Sequence, residues 1–245
     1  MMRNQSRTEV KTMHSKILNA ERQYTVFLPA GYEANTDKTY PVLYLLHGLT
    51  NNYKSWRDLG DIGPIANQII NAGNANEMII IMPDAGTDYD GYFNCGDKWR
   101  YEDFFFTEFM PTVEKKYRIK ADKEHRAIAG MSIGAMQAMH ISANAPSTFG
   151  YVGLFSSMVH PVLRRSEHSS FYKGLKGKLA TQFATPPLLY SIMIGKTDFY
   201  YPRMMMYANY LSSKGYSHEI HLTKGGHQWF NWEEFANLFM QQLWW

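Results

Sequence analysis

The chain has 245 residues, of which 45 % are hydrophobic and 19 % charged. That balance supports a sizeable core, excludes global disorder and suits one large α/β domain. A net charge of +3 with no long Lys/Arg cluster gives no ground for a nucleic-acid partner. The longest apolar runs, Val42–Leu46 and Met78–Met82, are far too short to cross a bilayer, so no membrane partner is expected. The single cysteine, Cys95, excludes an intramolecular disulfide and a Cys-based zinc site. Met1–Arg7 lacks the apolar stretch of a secretory signal. The compartment stays open: secreted or periplasmic if a signal peptide has been removed, cytoplasmic otherwise. Aromatic residues make up 15 % of the chain, which reads more simply as core packing than as a ligand platform.

In chain order, Glu21–Leu28 alternates apolar and polar residues as a strand and ends at the turn signal Pro29-Ala30-Gly31. Val42–Leu46 is a continuous apolar run of buried-strand type, followed by the loop His47-Gly48-Leu49-Thr50-Asn51-Asn52. Ile62–Ala72 reads as a helix and Met78–Met82 as a second buried strand. Residues 84–98 read as loop. Trp99–Lys116 reads as a helix with Phe105, Phe109 and Val113 on one face. Ala127–Ala129, Tyr151–Phe155, Leu188–Ile194 and Tyr216–Leu222 are strands, with helices over Met204–Ser213 and Trp232–Leu243. Residues 156–187, weakly periodic and closed by Pro186-Pro187, read as a lid or side-wall insertion. Strands alternating with helices after an all-strand start predict an α/β fold: one mostly parallel, doubly wound sheet with antiparallel strands at its N-terminal edge.

Gly130-Met131-Ser132-Ile133-Gly134 is a G-x-S-x-G pentapeptide set between a short apolar run and a small-residue helical run. That context is the strand–turn–helix elbow that presents a nucleophilic serine. A serine hydroxyl needs a histidine to take its proton and an acid to hold that histidine, here expected in the order Ser, acid, His. Asp198 lies just past the carboxyl end of the strand Leu188–Ile194; Glu167, the other acid between Ser132 and Asp198, falls in the polar insertion. His227 follows Lys224-Gly225-Gly226, directly after the strand Tyr216–Leu222, and is the expected base. His218 and His221 fall inside that strand, and their spacing sends them to opposite faces, against a metal pair. The backbone N–H groups of Ile133 and Leu49 are the expected oxyanion donors, with Thr50 the alternative to Leu49. His47 reads as a structural residue bonded to its own loop. Met131, Trp229, Trp232 and Trp99 are expected to line the substrate pocket, with Tyr92 an alternative to Trp99.

Three segments carry a resemblance: Tyr40–Gly48, Glu124–Gly134 and Gly225-Gly226-His227-Gln228-Trp229. They resemble the "Putative esterase" family of α/β-hydrolases, from about Tyr24 onward. Within it the chain is most similar to the feruloyl and acetylxylan esterases of carbohydrate esterase family 1. The resemblance implies an α/β-hydrolase fold, hydrolysis of small esters or of feruloylated or acetylated xylan oligosaccharides, and no cofactor. Ala135 stands where many relatives have Gly. S-formylglutathione hydrolases are a weaker likeness, because their early loop carries a cysteine where this chain has Leu49-Thr50-Asn51. A general short-chain carboxylesterase, an acyltransferase on the same fold and a non-catalytic carbohydrate-binding protein are the alternatives.

Overall fold

The computed structural model describes residues 5–85, 100–157, 159 and 173–244. Eight strands form one sheet in the order β1-β2-β4-β3-β5-β6-β7-β8. They are β1 (Arg7–Ser15), β2 (Ala20–Leu28), β3 (Val42–Leu46), β4 (Ile79–Pro83), β5 (Arg126–Met131), β6 (Tyr151–Phe155), β7 (Leu189–Gly195) and β8 (Glu219–Thr223). The pairs β1–β2 and β2–β4 are antiparallel, and every later pair is parallel. The expected mostly parallel sheet with an antiparallel N-terminal edge is therefore present.

The helices are α1 (Ser55–Asp58), α2 (Ile62–Asn71), α3 (Tyr101–Phe104), α4 (Met110–Lys116), α5 (Ile133–Asn144), α6 (Leu175–Ala184), α7 (Tyr201–Ser213) and α8 (Trp229–Gln241). They cover both faces, so the central strands are buried on both sides and read as unbroken apolar runs. Along each strand, alternate residues feed the two cores. Val42, Tyr44 and Leu46 join Phe105, Phe109 and Val113, whereas Leu43 and Leu45 join Trp56, Ile62, Phe235 and Phe239.

Three features depart from the sequence reading. β1 was not expected, because Arg7, Glu9 and Lys11 break its apolar pattern. It is an edge strand, where such charges guard an open ladder, and Lys11 Nζ pairs with the Glu9 carboxylate at 2.8 Å. The helix expected over Trp99–Lys116 is interrupted by a π turn at Phe105–Phe109. The wider turn lets the consecutive Phe104 and Phe105 both enter the core together with Phe109. Within 156–187, α6 packs Leu175 and Leu179 into the main core, so this part of the segment is integral to the fold. Trp99, Tyr92, Cys95 and Glu167 lie outside the described residues.

Candidate active site

β5 lies between β3 and β6 in the middle of the sheet, and the chain turns from it straight into α5. Ser132, at the turn, has φ 55° and ψ −115°, a strained conformation for a residue with a side chain. The turn closes only because its neighbours lack bulk. A Cβ on Gly130 would lie 2.5 Å from the Gly134 carbonyl carbon, and one on Gly134 would lie 2.4 Å from the His47 oxygen. The Ser132 amide is anchored to the Phe155 carbonyl of β6 at 2.8 Å. The hydroxyl is thereby held above the carboxyl ends of the parallel strands.

Two more loops at the same end bring the other polar groups. Asp198 follows β7 and is 3 % exposed. His227 follows β8. Ser132 Oγ lies 3.0 Å from His227 Nε2, and His227 Nδ1 lies 3.0 Å from Asp198 Oδ2. These contacts set the tautomer: Nδ1–H donates to the carboxylate, and Nε2 accepts from the hydroxyl. Asp198 Oδ1 also accepts from the Tyr200 amide at 2.8 Å. Burial pushes the Asp198 carboxyl up, but hydrogen bonding to His227, the Tyr200 amide and Ser156 outweighs burial and holds it below the usual carboxylate range. Ser156 contributes least of the three, since its buried hydroxyl meets no partner at standard hydrogen-bond geometry among the described residues.

The acid and base loops are tied to each other. Lys196 N–H donates to the Thr223 carbonyl and Thr197 N–H to the Gly225 carbonyl, both at 3.0 Å. Gly225 takes φ 104°, a conformation that favours glycine, and the Asn231 side chain of α8 packs against both Gly195 and Gly225.

Above Ser132 and His227 opens a cleft of about 530 Å3. It is lined by Gly48, Leu49, Thr50 and Asn51 of the loop after β3, by Phe199 and Tyr200 after β7, and by Gln228, Trp229 and Trp232. The Trp229 ring stands edge-on to Trp56 and to Trp232, with both centroid separations 5.3 Å. The His227 ring is flanked by Phe199 at 4.5 Å and Trp232 at 5.0 Å. Ile133 opens α5, so its amide belongs to the helix's first turn, where N–H groups have no carbonyl from a preceding turn. Leu49 and His227 both line the cleft.

The structure thus gathers Ser132, Asp198, His227, Leu49, Ile133, Trp229 and Trp232 at one site. Met131 is a correction. It continues the Ala127–Ala129 face of β5, is fully buried under the Gly48 loop and does not line the cleft. Phe199 and Tyr200 were missed as wall residues. Their signal was present, an aromatic pair directly after the acid at a strand's carboxyl end.

The sheet, its flanking helices and the serine turn after β5 make this an α/β-hydrolase. The sequence matches the family described as "Putative esterase" over residues 15–203, and the chain belongs to that family. Ser132 and Asp198 fall within the matched span, and His227 lies beyond it. The chain is 35 % identical over 159 residues to an endo-1,4-beta-xylanase/feruloyl esterase of Xylanibacter ruminicola, an alignment covering 62 % of this chain and 22 % of that protein. It therefore spans about a fifth of that relative's length. A solved ferulic acid esterase superposes with TM-score 0.84 at 29 % identity, covering 97 % of each chain. The CE1 ferulic acid esterase of Anaeromyces mucronatus without substrate superposes with TM-score 0.82 at 25 % identity, covering 97 % of this chain and 90 % of that one. The same enzyme in complex with ferulic acid gives TM-score 0.77.

Proposed function

We propose that the chain is a serine carboxylic-ester hydrolase acting through an acyl-enzyme, on feruloyl or acetyl esters of plant cell-wall xylan. The observation that carries this reading is the hydrogen-bond chain Ser132–His227–Asp198, with 3.0 Å at each step, at the floor of an aromatic-walled cleft. Ser132 Oγ attacks the ester carbonyl while His227 Nε2 takes its proton, and Asp198 stabilises the resulting imidazolium. The oxyanion is received by the N–H groups of Leu49 and Ile133. His227 then passes its proton to the leaving alcohol. Water repeats the attack on the acyl-enzyme, releasing the acid and restoring the Ser132 hydroxyl.

Between the two acyl groups, the walls favour ferulate. Phe199, Trp229 and Trp232 offer flat apolar surfaces of the kind a planar aromatic acid needs. The relatives named for feruloyl ester hydrolysis support the same choice.

The test is kcat/KM for methyl ferulate beside 4-nitrophenyl acetate, with Ser132→Ala as control. Efficient ferulate turnover, lost by roughly 10⁴-fold in the variant, is expected. Turnover of acetate alone would move the assignment to a deacetylase or short-chain esterase. Wild-type rates in Ser132→Ala would end the serine mechanism.

A further inference from the structure

His47 is 1 % exposed and sits beside the cleft without lining it. Both of its ring nitrogens are engaged. Nδ1 lies 2.9 Å from the Gly48 carbonyl oxygen, and Nε2 accepts the Ala85 amide at 2.9 Å. The second contact leaves Nε2 without a proton, so Nδ1 carries the hydrogen and donates it to Gly48. Ala85 is itself tied to the serine helix, because Gln137 Nε2 of α5 donates to the Ala85 carbonyl at 3.0 Å. The ring is therefore held from both sides.

The consequence lies in the next peptide. The Gly48–Leu49 unit is planar and trans, so its C=O and N–H point in opposite directions. Drawing the Gly48 oxygen toward the buried imidazole turns the Leu49 N–H the other way, toward the cleft that Leu49 and Ser132 share. The Asn51 amide adds a second, longer bond to the same oxygen at 3.2 Å. Thr50, the next residue, takes φ 62°, so this loop holds a conformation that its residues do not favour by themselves. A peptide flip here would break the bonds on the Gly48 oxygen and replace a donor in the cleft by an acceptor.

We propose that His47 is a positioning residue that fixes the orientation of the Gly48–Leu49 peptide, and through it the oxyanion-binding amide of Leu49. This rests on the ester-hydrolase reading above. His47 does not touch substrate and transfers no proton. Its effect is to keep one donor aimed at charge that develops only in the transition state.

The experiment compares His47→Leu, which removes the ring's contacts with Gly48, Ala85 and the Asp84 carboxylate 3.5 Å from Nε2, with His47→Asn, whose amide NH2 hangs from Cγ as Nδ1 does and can still donate to Gly48. Three quantities are read: kcat and KM for methyl ferulate, the affinity for a phenylboronic acid that forms a tetrahedral adduct on Ser132, and the affinity for ferulate itself. His47→Leu is expected to lower kcat about 10- to 100-fold, less than the roughly 10²–10³-fold loss when an oxyanion donor is deleted outright. KM and ferulate affinity stay near wild type, boronic-acid affinity falls in parallel with kcat, and His47→Asn recovers most of the loss. A drop in kcat with an unchanged ratio of boronic-acid to ferulate affinity would overturn the proposal, as would an Asn variant no better than Leu. Should the Leu variant fail to fold, His47→Gln replaces it, since its amide hangs from Cδ as Nε2 does and loses the bond to Gly48 while able to keep the one to Ala85. A 10-fold or greater fall in kcat with a parallel fall in boronic-acid affinity, recovered in His47→Asn, supports the role, and equal kcat in the two variants refutes it. A wild-type protein inactive on both test esters would remove the ester-hydrolase reading and this inference with it, whereas an active one with indifferent His47 variants removes only the inference.

Discussion

The two ends of the candidate site are built on different principles. Ser132 stands between β3 and β6 in the middle of the sheet, on strands buried on both faces. Its turn is closed by backbone packed on backbone, at Gly130 and Gly134, with no room for a single added carbon. Asp198 and His227 stand at the far edge. β8 is largely exposed, with Ile220 at 38 % and Leu222 at 40 %. There the geometry is held by two loop-to-loop hydrogen bonds and by the wedge of Asn231. Ser132 is thus placed by steric closure and the Asp198–His227 pair by polar lacing. The first should fail abruptly when altered, and the second by degrees.

The sharpest break is Gly134→Ala. Its new Cβ would meet the His47 carbonyl, which neither side can yield without moving β3 or α5, so we expect a loss of about 4 kcal/mol or more and little soluble protein. A soluble variant with wild-type Tm would refute steric closure. Next is Asp198→Asn, which keeps the shape but loses the carboxylate that holds the His227 tautomer. It should lower kcat by roughly 10²–10⁴-fold with a folded circular-dichroism spectrum. Full activity would mean that another group orients His227.

A gentler change is Asn231→Leu. The Asn231 amide is fully buried, and neither of its polar atoms has a hydrogen-bond partner among the described residues. An apolar residue of similar shape should therefore leave Tm within about 4 °C of wild type and kcat/KM within about tenfold. A fall of about 10 °C or more in calorimetry would show that the amide is partnered after all, by a bound water for example.

The smallest effect is on pH-dependent stability. The Asp198 carboxyl is held below its ordinary value of about 4, so its ionised form stabilises the fold above that pH and the contribution fades as acid protonates it. The Tm difference between wild type and Asp198→Asn should be largest near neutrality and shrink toward pH 3. A difference that grows in acid would reverse the sign.

The same contrast explains what the sequence disclosed. The central strands were legible because double burial demands unbroken apolar runs, and the serine turn because its glycines are dictated by contact. Asp198 and His227 were legible from position, each just beyond a strand's carboxyl end. β1 was hidden because an edge strand tolerates charges on its ladder. The π turn was hidden because Phe105, Phe109 and Val113 keep regular helical spacing in sequence whether or not the turn widens. Met131 was misplaced because adjacency to the nucleophile along the chain says nothing of which face a strand residue takes. Phe199 and Tyr200 line the cleft through the course of the loop after β7, which local pattern does not encode.

After β5 each strand pairs with its predecessor, β6 on β5, β7 on β6 and β8 on β7, so the sheet grows outward in the order in which the chain is made. The serine turn belongs to the middle of that sequence, and its histidine partner arrives with the last strand. A nascent or half-unfolded chain would therefore carry Ser132 disarmed, its hydroxyl in place but with no base to take its proton. Reactivity would then report on the docking of one exposed edge strand. Gentle denaturation should silence the hydroxyl while the centre of the sheet still stands.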